Sequence, residues 1–310
     1  LNDLDGRTSG TLNANSINTL SGTAADLISA YAANGSGISG LGNEAINVNS
    51  GTASTAQANS LAADTSGVVT ATISDGDMAT LAGLTETSNA YAVTITDTRV
   101  NADELNTLNS KTTVNIDCGN ITQIVGAISD IATAYTSGGF TGLGDEEIIF
   151  TFANIQADLL NAIDAANSRV INASGVASLT GSASDLNTAY ASSGVSGLGN
   201  EPVTITDTSL AASVLNTLDG NTSGTIDASS INTLTGTATD INTAYASNAA
   251  GGISNLGNEA VTLSDSSLTA TVLNNLDGNT SGTINASSIN TLSGTAADLN
   301  TAYTAAGSSG

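Results

Sequence analysis

Apolar residues alternate with small polar residues in short stretches along the whole chain, a pattern that predicts β-strands. After most of these stretches, apolar residues follow three or four positions apart, which predicts one buried face of a helix. The distances between successive predicted strand centres mostly alternate between 21–25 and 34–37 residues. The eleven centres are Leu12, Val48, Ile73, Ile95, Ile116, Phe150, Ile171, Ile205, Ile226, Leu263 and Ile284.

Nearly identical sequence segments recur at a fixed distance along the chain. Val203-Thr-Ile-Thr-Asp comes back as Val261-Thr-Leu-Ser-Asp, 58 residues later, and the eight residues from Leu218 come back from Leu276 at the same distance. A period of this length is typical of arrays in which each repeat packs on its neighbours. The sequence therefore predicts a single array over residues 1–310, with about eleven turns grouped in double units of 58 residues.

Helix starts are predicted after the strands. Leu210, Val214 and Leu218 lie four residues apart, and Asp207 or Ser209 is expected to cap the helix that they form. The Asp-Gly turn at Asp219 is expected to end that helix. A second type of helix start is predicted by Thr or Ser followed three residues later by Asp, a variant of the capping box. This motif begins at Thr23, Ser182, Thr237 and Thr295.

Strands that are joined by a single helix must be parallel, and their crossovers are right-handed. The predicted fold class is therefore α/β: a right-handed repeat solenoid of the leucine-rich-repeat kind, with one long parallel sheet and helices on its other face. The alternative is an all-β parallel β-helix. It would require residues 210–218 to be extended, and their spacing of four argues against this.

Charge and composition exclude several classes of function. The net charge is −24 with only four basic residues, so the chain has no basic surface for nucleic acid. No run of 18 apolar residues occurs, so membrane insertion is not predicted. Without histidine, neither a Ser-His-Asp triad nor an imidazole metal site can form. Cys118 is interpreted as a small core residue, and the chain is not expected to be an enzyme.

The recurring acidic residues suggest one candidate site, because carboxylate oxygens suit Ca²⁺. Helix capping and turn formation would explain the recurrence of these residues without a metal. The sequence does not decide between calcium binding and these structural roles. The candidate calcium ligands are Asp207, Asp219, Asp265, Asp277, Glu201 and Glu259.

Six tyrosines each follow an alanine, and most lie at the end of the helix in a long turn. Such a row could bind surface glycans or stack against a partner. The simpler interpretation is that each ring fills the wide end of the turn, with its hydroxyl reaching water or a carbonyl.

Several phrases resemble a known group of proteins. They are the segment from Ala212 to Thr225, Ser230-Ile-Asn-Thr-Leu-Thr-Gly-Thr-Ala, Gly197-Leu-Gly-Asn-Glu and the segment from Ala71 to Thr87. The resemblance is to repeats of the very long secreted and cell-surface proteins of cyanobacteria, especially marine ones, and it covers nearly the whole chain. It implies an extracellular structural protein that forms a fibre, filament or layer, or alternatively an adhesin that binds glycan or Ca²⁺.

Both ends of the sequence fall inside a repeat. Leu4-Asp-Gly-Arg-Thr-Ser-Gly-Thr matches the middle of a repeat, and the last residues stop before the next Leu-Gly-Asn-Glu. We expect the 310 residues to be an excerpt of a longer array. We also expect self-association end to end, because unpaired strand edges at a solenoid end can pair with another chain.

Overall fold

The computed structural model describes residues 1–308. The chain divides into two compact units, Leu1–Thr151 with Ala166–Arg169, and Phe152–Ala165 with Val170–Gly310. Each unit consists of short parallel strands and helices, which confirms the predicted α/β class. The helices within residues 1–308 are α1 (Asn2–Asp5), α2 (Ala24–Ala32), α3 (Thr55–Asp64), α4 (Met78–Leu81), α5 (Ala102–Asn109), α6 (Ile128–Thr136), α7 (Ala157–Ala166), α8 (Ala183–Ala191), α9 (Ala212–Asn221), α10 (Ala238–Ala250), α11 (Ala270–Asp277) and α12 (Ala296–Ser308).

The strands are two to four residues long. In the first unit they are β1 (Leu12–Asn13), β2 (Thr19–Gly22), β3 (Ile38–Ser39), β4 (Ala45–Val48), β5 (Val69–Thr72), β6 (Ala90–Ala92), β7 (Arg99–Asn101), β8 (Ile116–Asp117), β9 (Gln123–Gly126), β10 (Phe140–Thr141) and β11 (Glu147–Phe150). In the second unit they are β12 (Asn154–Gln156), β13 (Ile171–Asn172), β14 (Ser178–Gly181), β15 (Val195–Ser196), β16 (Val203–Ile205), β17 (Ser209–Ala211), β18 (Ile226–Asp227), β19 (Thr233–Gly236), β20 (Ile253–Ser254), β21 (Ala260–Leu263), β22 (Ser267–Thr269), β23 (Ile284–Asn285) and β24 (Thr291–Ser293).

Within the described residues the strands form eight sheets of two to five strands, and the prediction of one long sheet is wrong. The first unit holds the sheets β2-β4-β5-β6, β1-β3, β7-β9-β11 and β8-β10. The second holds β12-β14-β16-β18-β20, β13-β15, β17-β19-β21-β23 and β22-β24. The error has a simple cause: strands such as β19 contain a single apolar residue, Leu234, so no alternation marks them in the sequence.

Paired residues lie at a nearly constant distance along the chain. Leu179 pairs with Val203, Val203 with Ile226, and Ile226 with Ile253, which are steps of 24, 23 and 27 residues. The shortest step is 20 residues, from Thr70 to Ala90. We call the stretch from one strand to its parallel partner a circuit. The predicted alternation of short and long turns is therefore wrong. The eleven predicted centres do not lie in equivalent strands of successive circuits, so the distances between them do not measure the length of a circuit.

In the second unit, each circuit contains three elements. Every strand from β12 to β24 pairs with the strand three elements away along the chain, as β16 does with β18. The 58-residue repeat that starts at Val195 contains seven elements: three strands, a helix, two strands and a helix. The same order starts again at Ile253. One repeat of seven elements equals two circuits of three elements plus one extra element. Equivalent strands of successive repeats therefore belong to different sheets: β16 belongs to the five-stranded sheet and β21 to a four-stranded one.

The helix predicted from Leu210 to Leu218 begins later than expected. Leu210 lies in strand β17 and pairs with Leu234, and α9 starts only at Ala212. Its buried face is Ala212, Leu215 and Leu218, while Val214 is only half-buried. The presence of α9 argues against the all-β alternative. The helix also continues through Asp219 and Gly220 to Asn221, so the Asp-Gly pair does not end it.

The second type of helix start is confirmed. The Thr237 hydroxyl accepts a hydrogen bond from the Asp240 amide at 3.1 Å and donates to the Asp240 carboxylate at 2.8 Å. The same cap forms at Thr23, Ser182 and Thr295. Behind each cap, strands and helices contribute aliphatic side chains to a buried core, as Ile226, Leu234 and Ile241 do. A core of this kind needs few aromatic residues.

Asparagine side chains connect helices of neighbouring circuits. Asn216 of α9 donates its amide hydrogen to the Asp240 carbonyl of α10 at 2.9 Å, and its own Oδ1 atom is buried without a hydrogen-bond partner. The equivalent bonds join Asn2 to Asp26, Asn106 to Asp130, Asn161 to Asp185 and Asn274 to Asp298. Neighbouring helices are thus held in a fixed register by polar contacts as well as by packing.

Candidate functional site

The most distinctive polar site is a loop that recurs four times among the described residues. We call these segments, residues 40–44, 142–146, 197–201 and 255–259, the glutamate loops. Each connects a two-residue strand to the next strand and ends in a buried glutamate. These glutamates, Glu44, Glu146, Glu201 and Glu259, are 1, 0, 3 and 2 % exposed.

The loop backbone binds the carboxylate of its own glutamate. In the loop 197–201, the Gly199 amide lies 2.9 and 3.2 Å from the two Glu201 carboxylate oxygens, and the Asn200 amide lies 3.1 Å from one of them. Gly199 has φ = +135°, a conformation that only glycine adopts without strain. The sequence pattern Gly-Asn-Glu is therefore explained: the glycine lets two amides converge on the carboxylate.

A tyrosine hydroxyl completes each site. Tyr135 donates a hydrogen bond to Glu146 at 2.5 Å, and the same pairing occurs elsewhere in the described residues. The other three pairs are Tyr31 with Glu44, Tyr190 with Glu201 and Tyr245 with Glu259. The expectation that these hydroxyls reach water or a carbonyl is wrong for these four tyrosines. It holds for Tyr91, whose hydroxyl lies 3.5 Å from the Ala58 carbonyl.

Burial and the hydrogen bonds shift the pKa values of the four tyrosines and of Glu44 in opposite directions. Burial raises the pKa of Tyr31, Tyr135, Tyr190 and Tyr245, and the adjacent glutamate raises it further. Burial alone would raise the pKa of Glu44, but hydrogen bonds from Tyr31 and from its loop amides outweigh it and hold the pKa below 4.5. The tyrosine therefore stays protonated as a donor, and Glu44 stays ionised as an acceptor.

The predicted calcium ligands Asp207 and Asp265 cap helices. Asp207 accepts a hydrogen bond from the Ala183 amide at the start of α8 at 2.7 Å. Asp265 does the same for Ala238 of α10 at 2.8 Å. In the first unit, Asp75 and Asp97 cap α3 and α4 in the same way. The prediction that Asp207 caps the helix that follows it is wrong, because it caps the helix of the preceding circuit.

The six candidate ligands are not brought together. Glu201 and Glu259 lie in glutamate loops, Asp219 lies near the end of α9, and Asp277 is the last residue of α11. Within residues 1–308 no group of three or more Asp, Glu, His or Cys side chains is placed to hold a metal ion. Calcium binding by these residues therefore stays a prediction that no shared site supports.

The single cysteine behaves as the sequence indicated. Cys118 is fully buried in the turn after β8, and burial raises the pKa of its thiol to about 12. In other repeats the same position is occupied by buried alanine, as at Ala173 and Ala228. Cys118 is thus a small core residue, and a thiol with this pKa is a poor nucleophile at neutral pH.

Sequence reasoning did not identify the pairing of tyrosine with glutamate. The two residues lie 11 residues apart in Tyr190–Glu201 but 14 apart in Tyr245–Glu259, so no fixed spacing connects them. A usable signal was present, since four of the six tyrosines are followed within 14 residues by Gly-Asn-Glu or Gly-Asp-Glu.

Comparisons with known proteins add no relative. No family model matches the chain, and no curated protein or solved structure matches it. In the part of the chain that the structure describes, no helix combines the length and the apolar character needed to cross a bilayer.

Proposed function

We propose that the chain is an extracellular structural protein, whose repeats build a surface fibre, filament or layer. The observation that carries this proposal is the use of the recurring polar groups. The glutamates bind their own loops, the aspartates Asp207 and Asp265 cap helices, and the asparagines join neighbouring helices. Groups that could carry chemistry are thus engaged in holding the backbone, which suits a structural protein and not an enzyme.

We further propose that the repeats form a right-handed solenoid. Two observations support this: all strand pairs in the described residues are parallel, and the helical connections between them are short. Connections of this type are right-handed in nearly all known proteins. The extracellular location rests on the resemblance to cyanobacterial surface repeats and on the acidic, cysteine-poor composition.

Self-association end to end is part of the same proposal. Around β22 and β24 the side chains of Leu268, Ile284 and Leu292 are only half-buried. Their counterparts one repeat earlier, Leu210, Ile226 and Leu234, are 8, 0 and 0 % exposed. The next repeat of a longer array, or a second copy of this chain, would remove the remaining apolar surface from water by packing on this face.

The test is electron microscopy of the purified chain combined with sedimentation velocity over a wide range of concentrations. We expect particles that lengthen with concentration, with a width that stays constant. Matched samples with Ca²⁺ and with a chelator separate assembly by packing from assembly by metal. Strictly monomeric behaviour at every concentration would contradict the assembly proposal. Ca²⁺-dependent assembly would instead favour the alternative of a calcium-binding adhesin.

A further inference from the structure

We propose that each glutamate loop is a carboxylate-binding site in its own right, and that the glutamate is a ligand supplied by the same chain. Carboxylate binding is then a property of the loop and not of the glutamate side chain. A loop without its glutamate is expected to accept a free carboxylate of matching size.

The donors of the site belong to residues other than the glutamate. In the loop 197–201 they are the amides of Gly199 and Asn200 and the hydroxyl of Tyr190. Gly199 holds its amide in place through a positive φ, and Tyr190 comes from the end of helix α8. Because these donors do not belong to the glutamate, we expect the site to persist when the glutamate side chain is shortened.

The arrangement favours an anion over an amide. Two amide hydrogens and one hydroxyl point at the carboxylate oxygens, and a glutamine would place its NH₂ donors against some of them. No ion pair in the described residues involves a loop glutamate, since the two that occur join Arg7 to Asp3 and Arg169 to Glu147. The neutral donors therefore compensate the buried charge, as in backbone anion sites of other proteins.

The geometry also repeats with little change. The glycine two residues before each loop glutamate has φ between +121° and +142°, at Gly42, Gly144, Gly199 and Gly257. In all four loops this glycine donates its amide to the glutamate at 2.9 to 3.0 Å. Four independent copies of one donor arrangement around the same ligand class indicate a built site and not a chance contact.

The experiment is chemical rescue of Glu201→Ala. This substitution removes a CH₂ group and the carboxylate, which are the atoms of acetate. Thermal unfolding is followed while sodium acetate replaces sodium chloride at constant ionic strength. Once acetate exceeds its dissociation constant, the folding equilibrium constant of the variant should rise in proportion to acetate concentration. The unsubstituted chain should show no such gain over chloride.

Three controls make the test specific. Leu215→Ala opens an apolar cavity without donors in the same unit, and acetate should not stabilise it. Glu201→Gln fills the site with an amide, so acetate should have no effect there either. Adding Tyr190→Phe to Glu201→Ala removes one donor and should weaken the acetate effect several-fold.

Glu259→Ala, in the loop 255–259, is the second test, because its site has the same donors. Stabilisation by acetate, or folding in acetate of a variant that is unfolded in chloride, supports the proposal. If acetate has no advantage over chloride for either alanine variant, folded or not, the proposal is wrong. This outcome leaves the structural function intact, since the assembly experiments use the unsubstituted chain.

Discussion

At the residue scale, the glutamate loops show how hydrogen-bond donors of the same chain satisfy a buried carboxylate. Glu259 is 2 % exposed, yet its carboxylate accepts hydrogen bonds from Gly257, Asn258 and Tyr245. An ionised carboxylate in such a place costs several kcal/mol unless its oxygens are hydrogen-bonded. Each donor therefore contributes more than an ordinary surface hydrogen bond does.

We predict that Tyr245→Phe destabilises the fold. The substitution keeps the ring and removes the hydroxyl that donates to Glu259. A hydrogen bond to a buried charged group is worth about 1.5–3 kcal/mol, and we expect a loss in this range in urea unfolding. Tyr303→Phe is the matched control, because Tyr303 is 70 % exposed and the change should be near zero. Equal changes in unfolding free energy for the two variants would show that the hydrogen bond to Glu259 does not stabilise the fold.

Acid should weaken the loop that contains Glu44. The folded-state pKa of Glu44 lies below the ordinary 4.5, so its contribution is complete above that value and is lost as pH falls through the folded pKa. We expect unfolding free energy, measured in urea from pH 7 to pH 3, to fall more steeply for the unsubstituted chain than for Glu44→Gln. Glu104→Gln, at an exposed position, should leave the slope unchanged. Parallel pH curves for the unsubstituted chain and Glu44→Gln would contradict this.

What the sequence could reveal at this scale depended on distance along the chain. The cap at Thr237 spans three residues, so its pattern was visible, and the buried role of Cys118 followed from the absence of any partner. The bond from Ala183 to Asp207 spans 24 residues, and nothing in the local sequence reports it. Local polar motifs were therefore predictable, and contacts between circuits were not.

At the element scale, helix starts depend on the neighbouring circuit. Asp207 follows strand β16 but caps α8, whose own N-cap is Ser182. The two caps satisfy different amides, those of Ala183 and Asp185, at the same helix end. A helix start is thus completed only when the next circuit has folded onto it.

We predict that Asp207→Ala destabilises α8 and not α9. Losing a capping side chain costs about 0.5–2 kcal/mol. Hydrogen exchange should become faster at the first-turn amides of α8 and stay unchanged at the start of α9. Ser209→Ala, at the other residue expected to cap α9, should change neither helix, since Ser209 is exposed. Faster exchange at α9 alone would restore the simpler prediction that Asp207 caps its own helix.

Alanine substitution of two glycines, one in α9 and one in the turn that follows it, should have opposite effects on stability. A Cβ atom at Gly220 would meet nothing within 4 Å, whereas at Gly224 it would lie 2.1 Å from the Glu201 carbonyl oxygen. Gly220→Ala should stabilise the protein by up to about 1 kcal/mol, because alanine favours the helix. Gly224→Ala should destabilise it by more than that gain, because backbone must move. Thermal unfolding of both variants decides, and similar midpoints would contradict the prediction.

Elements were predicted where their apolar pattern was long enough. The parallel α/β class followed from strands and helices in alternation, and the helix after Thr237 begins where its cap indicated. Strands of two to four residues with one buried side chain, such as β19, give no periodic signal. Because these strands were not recognised, the prediction had one strand per circuit and therefore one sheet. The second unit has several sheets.

At the scale of the whole molecule, the repeat itself can be tested by deletion. Removing residues 203–260 joins Pro202 to Val261, so that β21 follows β15 as β16 does now. All seven elements of one repeat are lost together, and the order of the remaining elements is preserved. We expect this shortened chain to fold with an unchanged circular dichroism signal per residue and a cooperative unfolding transition.

The control deletion removes residues 203–231, half as many. It breaks the order of strands and helices and removes Asp207 without bringing another aspartate to its place, so the start of α8 loses this cap. We expect a loss of cooperativity and faster proteolysis for this variant alone. If both deletions behave alike, the seven-element repeat is not the unit of folding.

The seven-element repeat also constrains how such a sequence can lengthen by duplication. Each new copy enters one element out of step with the circuits, so its strands extend a different sheet from their counterparts: β16 extends the sheet of β14, and β21 extends that of β19. Such a duplication is tolerated only where the buried side chains of a segment can pack equally well in either sheet. Small aliphatic residues meet this condition more readily than a bulky indole, in keeping with a chain of 310 residues that contains no tryptophan.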